Sequence, residues 1–361
     1  MNITAIDIKL KRSPLQKTFK TALRVVEAVE SLYVFIHTDS GAIGLGEAVP
    51  THAITGDTIP GICGAVHIIE QQLIGRELST ELLPVIQQAI VGNTSAKAAL
   101  DMAVYDLLAQ EQQQPLYQYL GGTYQDFETS YTVSLNELDE MVKDALDYQS
   151  RGFTLLKIKL GGRVEEDIER IAALREAVDD SIQLGIDANQ GWSVKDAVTF
   201  CAGIERRGIP LTVIEQPVHK RDIKGMAEIK RHTKIPVMAD ESLFCVDDAK
   251  NLVDQWAADK WNIKLMKTGG LYEALKIHHI ASVPCMVGSM MESHVSVTAA
   301  LHFAMAIQAD QIDFDAPLML KEKPITGGIH YEGNQVSCNK RYGLGIDNDK
   351  LWEDLKDEKS M

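Results

Sequence analysis

Two hydrophobic regimes succeed one another along the chain. Apolar positions first alternate at a period of two, in ITAIDIKL and SLYVFIHT, and Asp39-Ser40-Gly41 then turns the chain into IGLGEA. This pattern predicts a small antiparallel meander. Three segments with helical spacing follow, around 60–73, 79–91 and 94–111, the last reading SAKAALDMAVYDLLAQ. Leu120-Gly121-Gly122 closes this α+β region. From residue 128 the pattern changes to short apolar runs: ETSYTV, LLKIKLG, QLGIDAN, TVIEQP, PVMADE, WNIKL, VPCMVGS and QIDFDAP. Amphipathic stretches such as VEEDIERIAALREAV and AEIKRH lie between them, which predicts parallel strands with return helices. No helix of barrel type is expected after the eighth run. The predicted organisation is an α+β capping domain over 1–125, a barrel over 126–320, and a segment 321–361 that packs back on the cap.

Five of the apolar runs end in a charge: Lys159, Asp187, Glu215, Asp240 and Lys264, spaced 28, 28, 25 and 24 positions apart. A strand with its return helix needs about that length, so one unit is repeated and one chemical position is placed in each repeat. Any one of these residues alone has a plain structural explanation. A lysine in a strand usually faces solvent, and a carboxylate after a strand usually caps the next helix. In a closed barrel, however, strand residues alternate between the interior and the helix layer, and neither side is water. Lys157 and Lys159 share a face opposite Leu156, Ile158 and Leu160; with the apolar set on the helices, both lysines point into the barrel mouth, where burial of charge demands a function. Asp187 and Asn189 share a face for the same reason. The three carboxylates are hard oxygen ligands set between two bases, the composition of a metal-assisted proton-transfer site.

Composition narrows the partners. The chain has 361 residues, 45% hydrophobic and 24% charged, which suits a barrel of about 200–250 residues with an additional domain. A net charge of −15 argues against nucleic acid and anionic membranes as partners. The start, MNITAIDIKLKRSPL, has no continuous apolar core of a signal peptide, and no stretch approaches the roughly 18 apolar residues of a span. A soluble, cytoplasmic protein, assembled as a homo-oligomer, is expected. Cys63, Cys201, Cys245, Cys285 and Cys338 are scattered and form no CxxC, which predicts reduced thiols rather than disulfides or a zinc site.

The order KxK, DAN, EQP, ADES and NIKLMKTGG resembles the enolase superfamily, in its muconate-lactonizing branch. The resemblance runs over nearly the whole chain. It implies an α/β fold, a modified (β/α)7β TIM barrel with an α+β N-terminal capping domain. It also implies Mg²⁺ held by Asp187, Glu215 and Asp240, with Lys159 and Lys264 as acid and base on opposite faces of the substrate, and Lys157 neutralising the substrate carboxylate. Proton removal next to a carboxylate builds a second negative charge, which a divalent cation stabilises; the pairing of a lysine base with Mg²⁺ is the general pattern of this superfamily. Mutual repulsion among the lysines and the metal is expected to lower a lysine pKa from about 10.4 toward about 7–8.

Two further features point to the substrate. Asp313-Phe314-Asp315 places two acids on one face at the end of the eighth run. They could simply terminate the strand, but acids converging on a mouth that holds three more repel strongly unless a cation lies between them. The motif resembles that of dipeptide epimerases, in which the pair receives the N-terminal ammonium of the substrate. Between Ile8 and Val26 lie Lys9, Lys11, Arg12, Lys17, Lys20 and Arg24 and no acid, in a segment long enough for a lid. Most such runs are solvated faces. KTALR nevertheless resembles the specificity loop of L-Ala-D/L-Glu epimerases, which implies that Arg24 holds a side-chain carboxylate with its planar fork. ITGDT at 54–58 resembles the second loop of the same cap.

Gly161-Gly162 and Gly269-Gly270 follow strands, but no GxxxxGK[ST] supports a phosphate cradle. His278, His279 and His294 lie away from strand ends, against branches that use a histidine base. The segment from Lys264 to Cys285 is a few residues shorter than the family pattern, which leaves the sixth helix open. The expected function is Mg²⁺-dependent epimerisation of the C-terminal residue of a dipeptide substrate, with L-Ala-D/L-Glu foremost. A cycloisomerase or o-succinylbenzoate synthase on the same scaffold, and a non-catalytic anion-binding barrel, are the alternatives.

Overall fold

The computed structural model describes residues 1–321, 325–356 and 358–361. An eight-stranded sheet follows chain order from Tyr131–Val133 through Leu155–Lys159, Gln183–Asp187, Ile214–Glu215, Val237–Ala239, Lys260–Ile263 and Cys285–Gly288 to Gln311–Asp313. Its neighbours pair in parallel, and a parallel bridge from Thr129 to Ile312 brings the last strand to the residues ahead of the first. The fold is an α/β barrel with an N-terminal cap. Register lines up the chemistry: Lys159 lies opposite Asp187, and Asp187 opposite Glu215. Return helices carry local start and stop signals. Ser193 accepts from the Asp196 amide to cap Val194–Arg206, and Asp222 accepts from the Gly225 amide to cap Ile223–His232, which ends in Lys230, Arg231 and His232 where the helix dipole favours cations. After Lys264 the short segment holds a helical turn, Leu265–Thr268, and an eight-residue helix, Leu271–His278. All five cysteines are free.

The cap is an antiparallel sheet of Ile3–Lys20, Val25–Thr38 and Ile43–Ala48, edged by Lys359–Ser360. The expected lid between the first two strands is instead a hairpin. Pairing continues to Phe19 with Val26 and Lys20 with Val25, leaving only a tight tip at Thr21–Arg24. The register slips between Pro14 and Phe19, so the polar SPLQKT stretch loses strict alternation without leaving the sheet. Nor does the basic run form one surface. Lys9 is buried with its ammonium 5.2 Å from the centre of the Trp352 ring, Lys17 pairs with Asp144 at 2.6 Å, and Arg24 turns toward the barrel mouth.

Helix Thr94–Glu111 is buried almost end to end, from Ser95 to Ala109, so it has no solvated face. It lies directly on strand Ile43–Ala48: a Cβ at Gly46 would stand 1.9 Å from the Ala99 carbonyl oxygen, a contact only glycine permits. Buried carboxylates tie cap to barrel and tail. Asp101 accepts from the Leu271 amide at 2.6 Å, Asp106 from the Leu45 and Leu344 amides at 3.0 and 2.8 Å, and Glu47 from the Ser293 and Ser296 amides at 2.9 and 3.0 Å.

A 3₁₀ turn, Ala316–Met319, follows the eighth strand. Of the segment 321–361, residues 322–324 and 357 lie outside the described residues. Within it, Ile329–Glu332 and Gln335–Cys338 form a hairpin that pairs with Phe127–Glu128, not with the cap as expected. Glu128 accordingly belongs to that sheet and not to the first barrel strand. Helix Asn348–Asp354 does reach the cap, where Trp352 packs edge-on against Phe35 and His37 at 5.0 and 5.1 Å between ring centres.

Candidate active site

Asp187, Glu215 and Asp240 each bring one carboxylate oxygen to within 4.8 Å of the others at the carboxyl ends of the third, fourth and fifth barrel strands. All three are buried. Their backbone is braced. Asn189 (φ 43°) and Gln216 (φ 37°) take left-handed conformations just after the first two ligands, strain of about 1 kcal/mol each that neighbouring bonds must hold. The Gln216 amide oxygen accepts from the Asp240 and Ser242 amides, both at 3.0 Å, so the strand end carrying Glu215 is bonded to the one carrying Asp240. Asn189 donates its amide N–H to Asp187 at 2.8 Å and its side chain to Glu241 at 3.2 Å.

The lysines meet this carboxylate row at opposite ends. Lys159 Nζ lies 2.6 Å from Asp187 Oδ2, Lys264 Nζ lies 2.6 Å from Asp240 Oδ2, and their strands stand four apart in the sheet. Lys157 sits between them, 2.8 Å from both Glu215 and Asp313 and 3.4 Å from Asp187. Among the protein's own groups, these pairings act against the repulsion between the lysines. Burial works against the ammonium of Lys157 and of Lys264, but the surrounding carboxylates outweigh it and hold both above the ordinary lysine range. For these two lysines, attraction to Asp187, Glu215, Asp240 and, at Lys157, Asp313 exceeds the repulsion between them. At Glu215 burial and the charge of Asp187 prevail, and its carboxyl is pushed up to about 8. Burial also opposes the charge on Asp240, yet Lys264, Lys267 and Lys157 hold it well below the usual carboxylate range.

The residues expected to meet the two ends of a substrate line the same cavity. Arg24 and Phe19 from the hairpin, Ile54 from the second cap loop, and Lys157, Lys159, Asn189, Asp240, Lys264, Asp313 and Asp315 from the barrel line one pocket. Asp187 and Glu215 lie behind the lysines. Burial lowers the pKa of Arg24, against the pull of Glu241 and Glu292. Asp313 accepts from Ser130 Oγ at 2.7 Å as well as from Lys157, while Asp315 accepts from the Thr132 amide at 2.6 Å. Burial and the charge of Asp313 raise Asp315 to about 6, so a cation placed beside it is favoured.

Several site residues escaped the sequence reading. Lys267 is fully buried against Asp240; Glu241 and Glu292 face Arg24 electrostatically; Asn262 donates to Glu215 at 2.8 Å. Lys267 left a readable signal, a second lysine three residues after Lys264 inside an apolar run. Glu241 and Asn262 stand inside the ADES and NIKLMKTGG motifs without a role having been read for them, and Glu292 gave no signal beyond its type.

The donor set suits Mg²⁺: three hard carboxylate oxygens converge in a buried site, and burial together with the neighbouring Asp187 charge disfavours the Glu215 carboxylate, a cost that a cation among the three would offset. Residues 3–121 match the mandelate racemase / muconate lactonizing enzyme N-terminal domain, and residues 140–352 match the enolase C-terminal domain-like family. The chain is 46% identical over 354 residues to the L-Ala-D/L-Glu epimerase of Bacillus subtilis (strain 168), covering 96% of this chain and 97% of that protein. The substrate-liganded structure of the L-Ala-D/L-Glu epimerase from Bacillus subtilis superposes with a TM-score of 0.94 over 96% of this chain and 99% of that one. A dipeptide epimerase from Cytophaga hutchinsonii, complexed with Mg and the dipeptide D-Ala-L-Val, is 35% identical and superposes with a TM-score of 0.95 over 100% of this chain and 99% of that one.

Proposed function

From the premise that the chain belongs to the mandelate racemase / muconate lactonizing enzyme family of the enolase superfamily, we propose that it is a Mg²⁺-dependent dipeptide epimerase that inverts the α-carbon of the C-terminal residue, with L-Ala-D/L-Glu as its substrate pair. The observation that carries this reading is the convergence, in one pocket, of two lysines from strands four apart with an acid pair at one end and an arginine from the cap. Asp187, Glu215 and Asp240 would hold the metal. When bound, Mg²⁺ supplies Lewis-acid stabilisation of the second negative charge that builds on the substrate carboxylate.

The protein's own residues divide the remaining work. Asp313 and Asp315 hold the substrate ammonium, and Arg24 reads the glutamate side-chain carboxylate with bidentate geometry. Lys157 compensates charge at the centre of the carboxylate row. One of Lys159 and Lys264, as the neutral amine, takes the α-proton and becomes an ammonium. The other, as the ammonium, returns a proton to the opposite face and becomes the amine, so the product is the epimer and the proton count balances. The test is metal removal: chelation, or Glu215→Gln, should abolish epimerisation of L-Ala-L-Glu while circular dichroism stays native. Full turnover in metal-free enzyme would refute the reading.

A further inference from the structure

Lys267 does not line the pocket, yet it is bound to the residue on which the pocket depends. Its side chain is 0% exposed, and its ammonium has three protein acceptors: Asp240 Oδ1 at 2.5 Å, the Asn262 carbonyl at 2.9 Å, and the Asp240 carbonyl. An ammonium has three protons to give, so every one is used. The Phe244 ring stands 6.0 Å from Nζ and helps to seal the group from water. Burying a lysine so completely is unfavourable unless its partners are fixed, and truncating one partner of such a pair leaves the other charge uncompensated.

The backbone around it is built to keep that geometry. Lys264 follows the strand Lys260–Ile263, Leu265–Thr268 makes a single helical turn, and Gly269 (φ 80°) and Gly270 (φ 117°) stop it. A Cβ on Gly270 would lie 2.3 Å from Asp101 Cγ, so glycine is required where Asp101 of the cap accepts from Leu271. Gln87, also of the cap, donates to the Gly269 carbonyl at 2.6 Å. The turn that aims Lys267 back at Asp240 is thus clamped from the cap.

The consequence lies in how the two oxygens of Asp240 are divided. Oδ1 is taken by Lys267, and Oδ2 meets Lys264. We propose that Lys267 is a positioning residue that confines Asp240 to a single metal-facing oxygen and thereby selects Mg²⁺ over Ca²⁺. Mg²⁺ demands compact octahedral geometry and keeps several waters, whereas Ca²⁺ takes more oxygens, at longer range, and accepts bidentate carboxylates. An Asp240 whose second oxygen is occupied withholds the bidentate mode. This inference rests on the metal reading above.

Calorimetric titration of the full chain with MgCl₂ and with CaCl₂ tests it, on wild type, Lys267→Met and Lys267→Gln. Lys267→Met frees Oδ1, and the ratio of the Ca²⁺ to the Mg²⁺ dissociation constant should fall at least tenfold. Lys267→Gln keeps an amide donor and should fall less. A ratio within twofold of wild type in both variants, with native thermal unfolding, overturns the proposal. A wild-type crystal structure with Mn²⁺ provides a test independent of variant folding: Asp240 should reach the ion through Oδ2 alone, and coordination through Oδ1 overturns the proposal. Failure of wild type to bind either cation would instead overturn the metal reading on which it rests.

Discussion

Glu47 offers the sharpest test of how the cap is fixed to the barrel. It is fully buried in the cap strand Ile43–Ala48, and it accepts from Ser31 Oγ at 2.6 Å, the Ser293 amide and hydroxyl at 2.9 and 2.8 Å, and the Ser296 amide and hydroxyl, both at 3.0 Å. The serines flank the start of barrel helix His294–Ile307, so a carboxylate from one domain satisfies the open amides of a helix in the other and meets the positive end of its dipole. Glu47→Gln keeps the shape but turns one oxygen into an N–H donor facing Ser293 and Ser296, which themselves offer donors. Hydrogen bonds to a charged group are worth about 1.5–3 kcal/mol each, and one or two are forfeited, so the loss should be about 3 kcal/mol. With a urea m-value of about 3 kcal/mol/M for a chain of this size, the unfolding midpoint should move down by about 1 M. Met290 and Met291, just ahead of this helix, line the active pocket, so activity should fall before global unfolding begins. A midpoint shift under about 0.2 M would refute the claim that this carboxylate locks the two domains together.

Two further outcomes follow from the geometry. His302 accepts from the Tyr117 amide at Nδ1 at 3.0 Å, and burial lowers its pKa from 6.5 to about 4. Between those values the unfolded chain binds the extra proton, so stability present above pH 6.5 is lost as pH falls toward 4, by about 3 kcal/mol at most; His302→Asn should flatten that part of the pH profile measured by urea unfolding. Arg24→Met should lower kcat/KM for L-Ala-L-Glu by roughly 2 kcal/mol, about thirtyfold, and spare a dipeptide with an apolar C-terminal residue; equal losses on both would make Arg24 a residue of hairpin structure alone.

The barrel was legible because each of its strands is a short apolar run, and a charge at the end of such a run has nowhere to go but the mouth. Lys159, Asp187 and Glu215 prove adjacent in register, as repeats of one unit must be. The hairpin of the cap was not legible, because its pairing slips between Pro14 and Phe19 and the polar residues there read as a loop. The helix Thr94–Glu111 showed apolar spacing on one face, but its polar residues Asp101 and Asp106 are buried too, since each caps backbone far away in sequence. No local pattern reveals a partner such as Leu344. The lysines' surroundings were only half legible for a related reason: their mutual repulsion is evident from the motif, while the short distances to Asp240 and Asp313 that act against it are a property of the fold.

The two-lysine division of labour is the central claim, and deuterium incorporation tests it most directly. In D₂O, wild-type enzyme should place deuterium at the α-carbon of the C-terminal residue of the epimerised dipeptide. Lys159→Ala and Lys264→Ala should each abolish epimerisation, because one face then lacks its acid. Each variant should still exchange the α-proton of one epimer without inversion, and the two variants should retain opposite epimers. Interconversion of both epimers by Lys264→Ala at near wild-type rate would contradict the account and place the base elsewhere in the barrel mouth.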